Sequence, residues 1–135
     1  MEFVKRGLPC TQLGWEIAPD GLCETFTRVT REYGPLPRYV TENGAAFPDE
    51  VTATGRVHDE ERRACAGSRL RAAHRARSDG VDLRGSVVWT LLDNSERAHG
   101  YSKRFGLVPV DVATHRRTVK DSGRWFAGVT RANAV

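Results

Sequence analysis

Two short apolar runs, held apart by one long helix-patterned segment, constrain this chain more than anything else in its sequence. The first, residues 38–41 (Arg38-Tyr39-Val40-Thr41), is aromatic and β-branched and stops at Glu42-Asn43-Gly44. The second, residues 85–91 (Gly85-Ser86-Val87-Val88-Trp89-Thr90-Leu91), is nearly continuously apolar, as a strand covered on both faces should be. Between them a helix is expected from about Asp59 to Ser78, closed by Gly80. Two strands joined through a full helix run parallel, linked by a crossover. The expected class is therefore α/β. No glycine-rich phosphate loop follows either strand, which weakens a nucleotide-binding reading.

The remaining segments fit around this unit. Residues 1–10 read as an irregular N-terminal segment broken by Gly7 and Pro9, and Gly14 extends the irregularity to about residue 18. Pro19 sits where a first helical turn tolerates it. Leu22, Phe26, Val29 and Tyr33 then mark one apolar helical face, which Gly34-Pro35 ends. Residues 44–57 form a long loop. The helix over 59–78 has a thin apolar face, with Leu70 as its one large aliphatic beside Ala64, Ala66, Ala73 and Ala76. Gly67 in its middle costs about 1 kcal/mol relative to alanine. A polar loop over 93–104 leads to a short hairpin, 105–110 with 116–119, turning at Thr114-His115. Pro109 confines its first strand to an edge. A last helix starts near Asp121-Ser122, with Trp125, Val129 and Ala132 at helical spacing.

Composition narrows the function. A chain of 135 residues suggests one domain with a modest core. The 21 Lys and Arg against 17 Asp and Glu give +4, and the arginines are dispersed along helices. Without a like-charge block interleaved with aromatics, this reads as a solvated surface and not a nucleic-acid site. Cys10, Cys23 and Cys65 form no CxxC and leave an odd count, which argues against a disulfide framework or a zinc site and for a reducing compartment. His58, His74, His99 and His115 lack metal-ligand spacing. No metal and no cofactor is expected. No segment reads as a signal peptide or a bilayer span, so a cytoplasmic protein with no membrane partner is the expectation.

In β/α folds functional residues gather at the C-terminal ends of the parallel strands. Glu42 ends the first strand, Trp89 lies at the end of the second, and Glu96 sits in the loop beyond. Carboxylates accept bonds from sugar hydroxyls, and a flat indole covers the C–H face of a pyranose, so the set suits carbohydrate. By spacing alone, a lone Glu after a strand is more often a loop residue than a nucleophile, and a lone Trp is more often core than platform.

The motifs change that balance. Val40-Thr41-Glu42-Asn43-Gly44 resembles the nucleophile motif of glycoside hydrolase family 1, the β-glucosidase family. Trp89-Thr90-Leu91-Leu92-Asp93-Asn94-Ser95-Glu96, followed by Gly100-Tyr101-Ser102-Lys103-Arg104-Phe105-Gly106-Leu107, resembles its sugar-binding segment after strand eight. Gly14-Trp15-Glu16, Pro19-Asp20-Gly21-Leu22 and Lys120-Asp121-Ser122-Gly123-Arg124-Trp125 match flanking family patterns in the same order. The resemblance covers residues 11–135 and implies the C-terminal portion of a (β/α)8 TIM barrel: about strands seven and eight with their flanking helices, the barrel incomplete.

It also implies roles. Glu42 would be the nucleophile of a retaining β-glucosidase, Trp89 would stack under the glycone, Glu96 would bind its hydroxyls, and Phe105 would line the pocket. The partner would be a β-glucoside or another β-glycoside. Retention needs a second carboxyl about 5 Å from the nucleophile. The family carries it in an Asn-Glu-Pro motif, which is absent from this sequence. Ser95-Glu96-Arg97 stands where the family usually has Phe-Glu-Trp, and Cys65-Ala66-Gly67 replaces bulkier apolar residues. The isolated chain is accordingly expected to be inactive and marginally stable. Two other readings stay open: a non-catalytic remnant that binds sugar or a complementary barrel fragment, with self-association through exposed strand edges; and a small α/β module presenting its basic helix 59–78 to an anionic partner.

Overall fold

The computed structural model describes residues 6–135, so the first half of the irregular segment expected over 1–10 lies outside the described residues. The elements run α1 (Asp20–Tyr33), β1 (Arg38–Asn43), α2 (Glu60–Ser78), β2 (Leu83–Val88) and α3 (Asp121–Ala132). β1 and β2 pair in parallel, with Arg38 opposite Leu83, Tyr39 opposite Gly85 and Asn43 opposite Val88. Among the described residues this two-stranded sheet is the whole sheet, so each strand keeps one unpaired edge.

One face of the sheet is covered by helices. Val40, Val81 and Leu83 pack with Ala73 and Ala76 of α2, and Leu22, Cys23 and Phe26 of α1 close over them. A smaller cluster joins Ala45, Phe47 and Cys65, with Ile17 against it. The opposite face is bare: Tyr39 and Val87 are each 56% exposed. Tyr33, placed by spacing on the apolar face of α1, is exposed at the last residue of the helix.

Three expectations shift. β2 starts at Leu83 and ends at Val88, earlier than the run 85–91 suggests. The carbonyls of Thr90 and Leu91 accept instead from the amides of Leu107 and Val108, both at 2.9 Å. The chain therefore leaves β1 after the Trp89 amide and turns toward its own later segment. The hairpin over 105–119 shrinks to a single antiparallel bridge, Val110 with Arg117. Its turn is organised by Asp111, whose carboxylate accepts from the amide and hydroxyl of Thr114 at 2.7 Å each. The buried stripe of α2 is Arg62, Cys65, Gly67, Ala72, Ala73 and Ala76, so Ala64 is exposed, Ala66 and Leu70 are only half-buried, and a charged residue enters.

That residue organises the molecule. The Arg62 side chain is 4% exposed and donates to Asp49 at 2.8 Å and to Asp59 at 2.5 Å. It also donates to the carbonyls of Arg104 at 2.8 Å and Phe47 at 3.3 Å. Lys120, fully buried, donates to Asp49 and lies 3.5 Å from Asp93. Asp59 accepts the amide of Ser122 at 2.8 Å and also the Ser122 hydroxyl. Burial, with Arg62 nearby, pushes the Lys120 ammonium below its ordinary range, while Asp49 and Asp93 push it back up. One buried cluster thus fixes the 44–59 loop, the start of α2, the segment after β2 and the start of α3.

Removing one partner of a buried ion pair leaves an uncompensated charge and costs about 3–5 kcal/mol. Lys120→Met is expected to lower the unfolding free energy from urea denaturation by that amount, or to abolish a cooperative transition. Arg63→Met, which breaks only the exposed pair with Glu60, should change it by about 1 kcal/mol or less.

Candidate active site

β1 ends irregularly. Val40 and Asn43 are buried while the two residues between them, Thr41 and Glu42, are exposed, and the pairing with β2 slips across the same stretch. Such a bulge re-aims side chains next to functional sites. Asn43 turns inward, with its amide oxygen 3.5 Å from Arg69 of α2. The bulge breaks the simple alternation of the strand, and Glu42 stays exposed beside Pro19 and Leu22 at the start of α1.

The end of β1 and the end of β2 meet closely. The Trp89 amide donates to the Asn43 carbonyl at 3.1 Å. A Cβ added to Gly44 would lie 1.8 Å from the Trp89 carbonyl oxygen, so only glycine fits there. The Trp89–Thr90 peptide is cis. The expected nucleophile and the expected platform are therefore fixed to each other by a backbone contact.

The loop after β2 folds back. Asp93 accepts the Gly106 amide at 2.8 Å and faces the Arg104 guanidinium at 3.1 Å. A Cβ at Gly106 would come within 2.4 Å of the Asp93 nitrogen. This return brings Phe105, 6% exposed, into the same internal recess as Trp89. The Phe105 ring packs at 51° to Trp15, with centroids 6.5 Å apart. Glu96 lies at the tip of the loop, where its amide and carbonyl exchange bonds with Gly100 at 2.9 and 2.7 Å. Its Oε1 is buried with no hydrogen-bond partner, as is the Oδ1 of Asn94.

The structure brings Trp89 and Phe105 around one recess. Glu42 lines a second recess, beside Pro19, Leu22 and Val40, and Glu96 borders neither. Asn43 and Arg69 border both. Sequence reading missed Arg69 and the buried cluster of Arg62, Asp49, Asp59, Asp93 and Lys120. The local signal was the Asp59–Arg62 spacing of one helical turn; the other partners lie too far apart in sequence to be paired by pattern. Among the described residues, no group of three His, Cys, Asp or Glu could hold a metal ion. No helix among them is long and apolar enough to cross a membrane.

Sequence and fold agree on one class, an α/β portion of a glycosidase barrel. The profile of Glycosyl hydrolase family 1 matches residues 1–135, and the chain belongs to that family. β-Glucosidase A of Thermotoga maritima is 49% identical over 135 residues, all of this chain and 30% of that protein. The 6-phospho-β-galactosidase 1 of Streptococcus pneumoniae is 38% identical over 135 residues, 96% of this chain and 28% of that protein. The structure of the Thermotoga maritima family 1 β-glucosidase with isofagomine lactam superposes with a TM-score of 0.96 at 49% identity, covering 99% of this chain and 30% of that one. The chain thus spans about 30% of the length of these relatives.

Gly44→Ala is expected to destabilise by more than the 1–3 kcal/mol typical of overpacking, since the clash is with backbone. Gly128→Ala, where nothing lies within 4 Å of the added carbon, should be neutral or stabilising by about 1 kcal/mol. Denaturant melts of the two variants check this.

Proposed function

We propose that these residues form part of the active site of a retaining β-glucosidase, with Glu42 as the nucleophile. The observation that carries the reading is the placement of Glu42, exposed at the bulged end of a parallel strand and locked through Gly44 to Trp89. Membership of Glycosyl hydrolase family 1 supports it. So do relatives of 44–49% identity bearing β-glucosidase names, and solved relatives bound to sugar-like inhibitors. The segment reads as strands seven and eight of the barrel with their neighbouring helices.

In this reaction the Glu42 carboxylate attacks the anomeric carbon as the glycosidic C–O bond breaks. The departing oxygen takes a proton from a second carboxyl, which residues 6–135 do not supply in the family's Asn-Glu-Pro form. Water then displaces the ester, giving its proton to that second group and releasing glucose with its original configuration. Trp89 covers the apolar face of the glycone and Phe105 closes the recess beside it. Glu96 accepts from hydroxyls, and its unpartnered buried oxygen is suited to that task.

The bare sheet face and free strand edges favour a second element of the reading: the remainder of a family 1 barrel covers this segment when it acts. Alone, the chain should self-associate and melt broadly, because exposed apolar edges invite pairing. It should also show no turnover of an alkyl β-glucoside, since general acid catalysis contributes about 10²–10⁴-fold and most of the pocket is lacking. Joined to the first 70% of the Thermotoga maritima relative, it should hydrolyse aryl β-glucosides. Glu42→Ala should then reduce kcat by about 10⁴-fold or more, the scale of losing a covalent nucleophile. Turnover unaffected by that substitution would overturn the assignment, and a sharp melt from a monodisperse monomer would overturn the account of the bare face.

A further inference from the structure

The guanidinium of Arg69 occupies a position that no sequence motif marked. It rises from the middle of α2 and donates to the Gly44 carbonyl at 2.8 Å, with the Asn43 side-chain oxygen at 3.5 Å. These are the two residues that directly follow Glu42. Other arginines of the molecule, Arg62 and Arg104 among them, pair with carboxylates; the bonds of Arg69 go to the oxygens of a turn. It borders the recess beside Glu42 and the recess beside Trp89.

We propose that Arg69 is the positioning residue for the nucleophile: through Gly44 and Asn43 it holds the end of β1 at one distance from Trp89. Three features support this. Gly44 closes the motif two residues after Glu42, and glycine is the most permissive backbone, so the strand end needs an outside tether. The tether is charged, with one guanidinium nitrogen serving both oxygens, and hydrogen bonds from ionised donors are about twice as strong as neutral ones. The tethered carbonyl belongs to the residue whose backbone is crowded against Trp89. The Asn43 side chain, drawn to Arg69, sits on the helix-covered face.

The inference rests on reading Glu42 as the nucleophile, and its test separates the two. In the chain itself, amide exchange is followed at Trp89, whose N–H bonds to the Asn43 carbonyl, relative to Leu107, whose N–H bonds to the Thr90 carbonyl. The ratio cancels any change in global opening. Arg69→Met, which keeps the apolar stem and loses the donors, is expected to raise that ratio about tenfold, the effect of losing one charge-assisted bond. Arg69→Lys, which can still reach the Gly44 carbonyl, should restore part of it. An unchanged ratio in Arg69→Met, or no difference between the Met and Lys variants, overturns the tether.

In the chain joined to the first 70% of the Thermotoga maritima relative, Arg69→Met should lower kcat about tenfold and leave KM within about twofold, with Arg69→Lys between. Equal losses in both parameters, or a loss that tracks melting temperature, assign Arg69 to general stability and overturn the positioning role. If the joined protein shows no turnover even with Arg69 present, the glucosidase reading fails, while the exchange ratio still decides whether Arg69 holds the strand end.

Discussion

The buried cluster of Arg62, Lys120, Asp49, Asp59 and Asp93 is the constraint on which the rest of this structure depends. A core of alanines, three valines and a few larger apolar side chains is thin for a domain of this length. Desolvating five charges is expensive unless each finds its partners. Here each does, and the partners come from four separate segments. The cluster therefore defines where those segments must lie. Ser122 at the start of α3 is held by Asp59 at the start of α2, and Asp93 is held by Lys120 and by the Gly106 amide. Through that chain of contacts the loop carrying Glu96 and Phe105 is tied to the helices.

The site depends on this frame in two places. Asp93 folds the loop after β2 so that Phe105 returns to the recess that Trp89 also lines. Arg62 spans the 44–59 loop and donates to the Arg104 carbonyl, next to Phe105. The strand end with Glu42 is fixed from the other side, by Arg69 and by the contact of Gly44 with Trp89. In the reading proposed, the bare sheet face is where the remaining barrel lies.

Much of the fold was legible because local pattern and tertiary role coincide. The helix spacing of Leu22 and Phe26 matches the face packed on the sheet, and the helix over 59–78 begins and ends within one residue of expectation. Where they diverge, a distant partner decides. Val88 ends β2 because Thr90 and Leu91 bond to residues 107 and 108, which no run of β-branched residues announces. Arg62 is buried because carboxylates 3 and 13 residues away and a loop carbonyl 42 residues away converge on it. Motifs marked Glu42, Trp89, Glu96 and Phe105 as candidates, of which the structure sets Trp89 and Phe105 around one recess. The site was not legible at Arg69, whose partners are backbone and amide oxygens that carry no sequence signature.

The central claim is that Glu42 forms a covalent bond to the sugar. An activated 2-deoxy-2-fluoro-β-glucoside, incubated with the chain joined to the first 70% of the Thermotoga maritima relative, forms a glycosyl-enzyme whose hydrolysis is slow. After digestion, mass spectrometry should place the fluoroglucosyl group on the peptide containing Glu42 and on its carboxylate. An adduct on any other residue, or steady turnover with no adduct at all, would contradict the account.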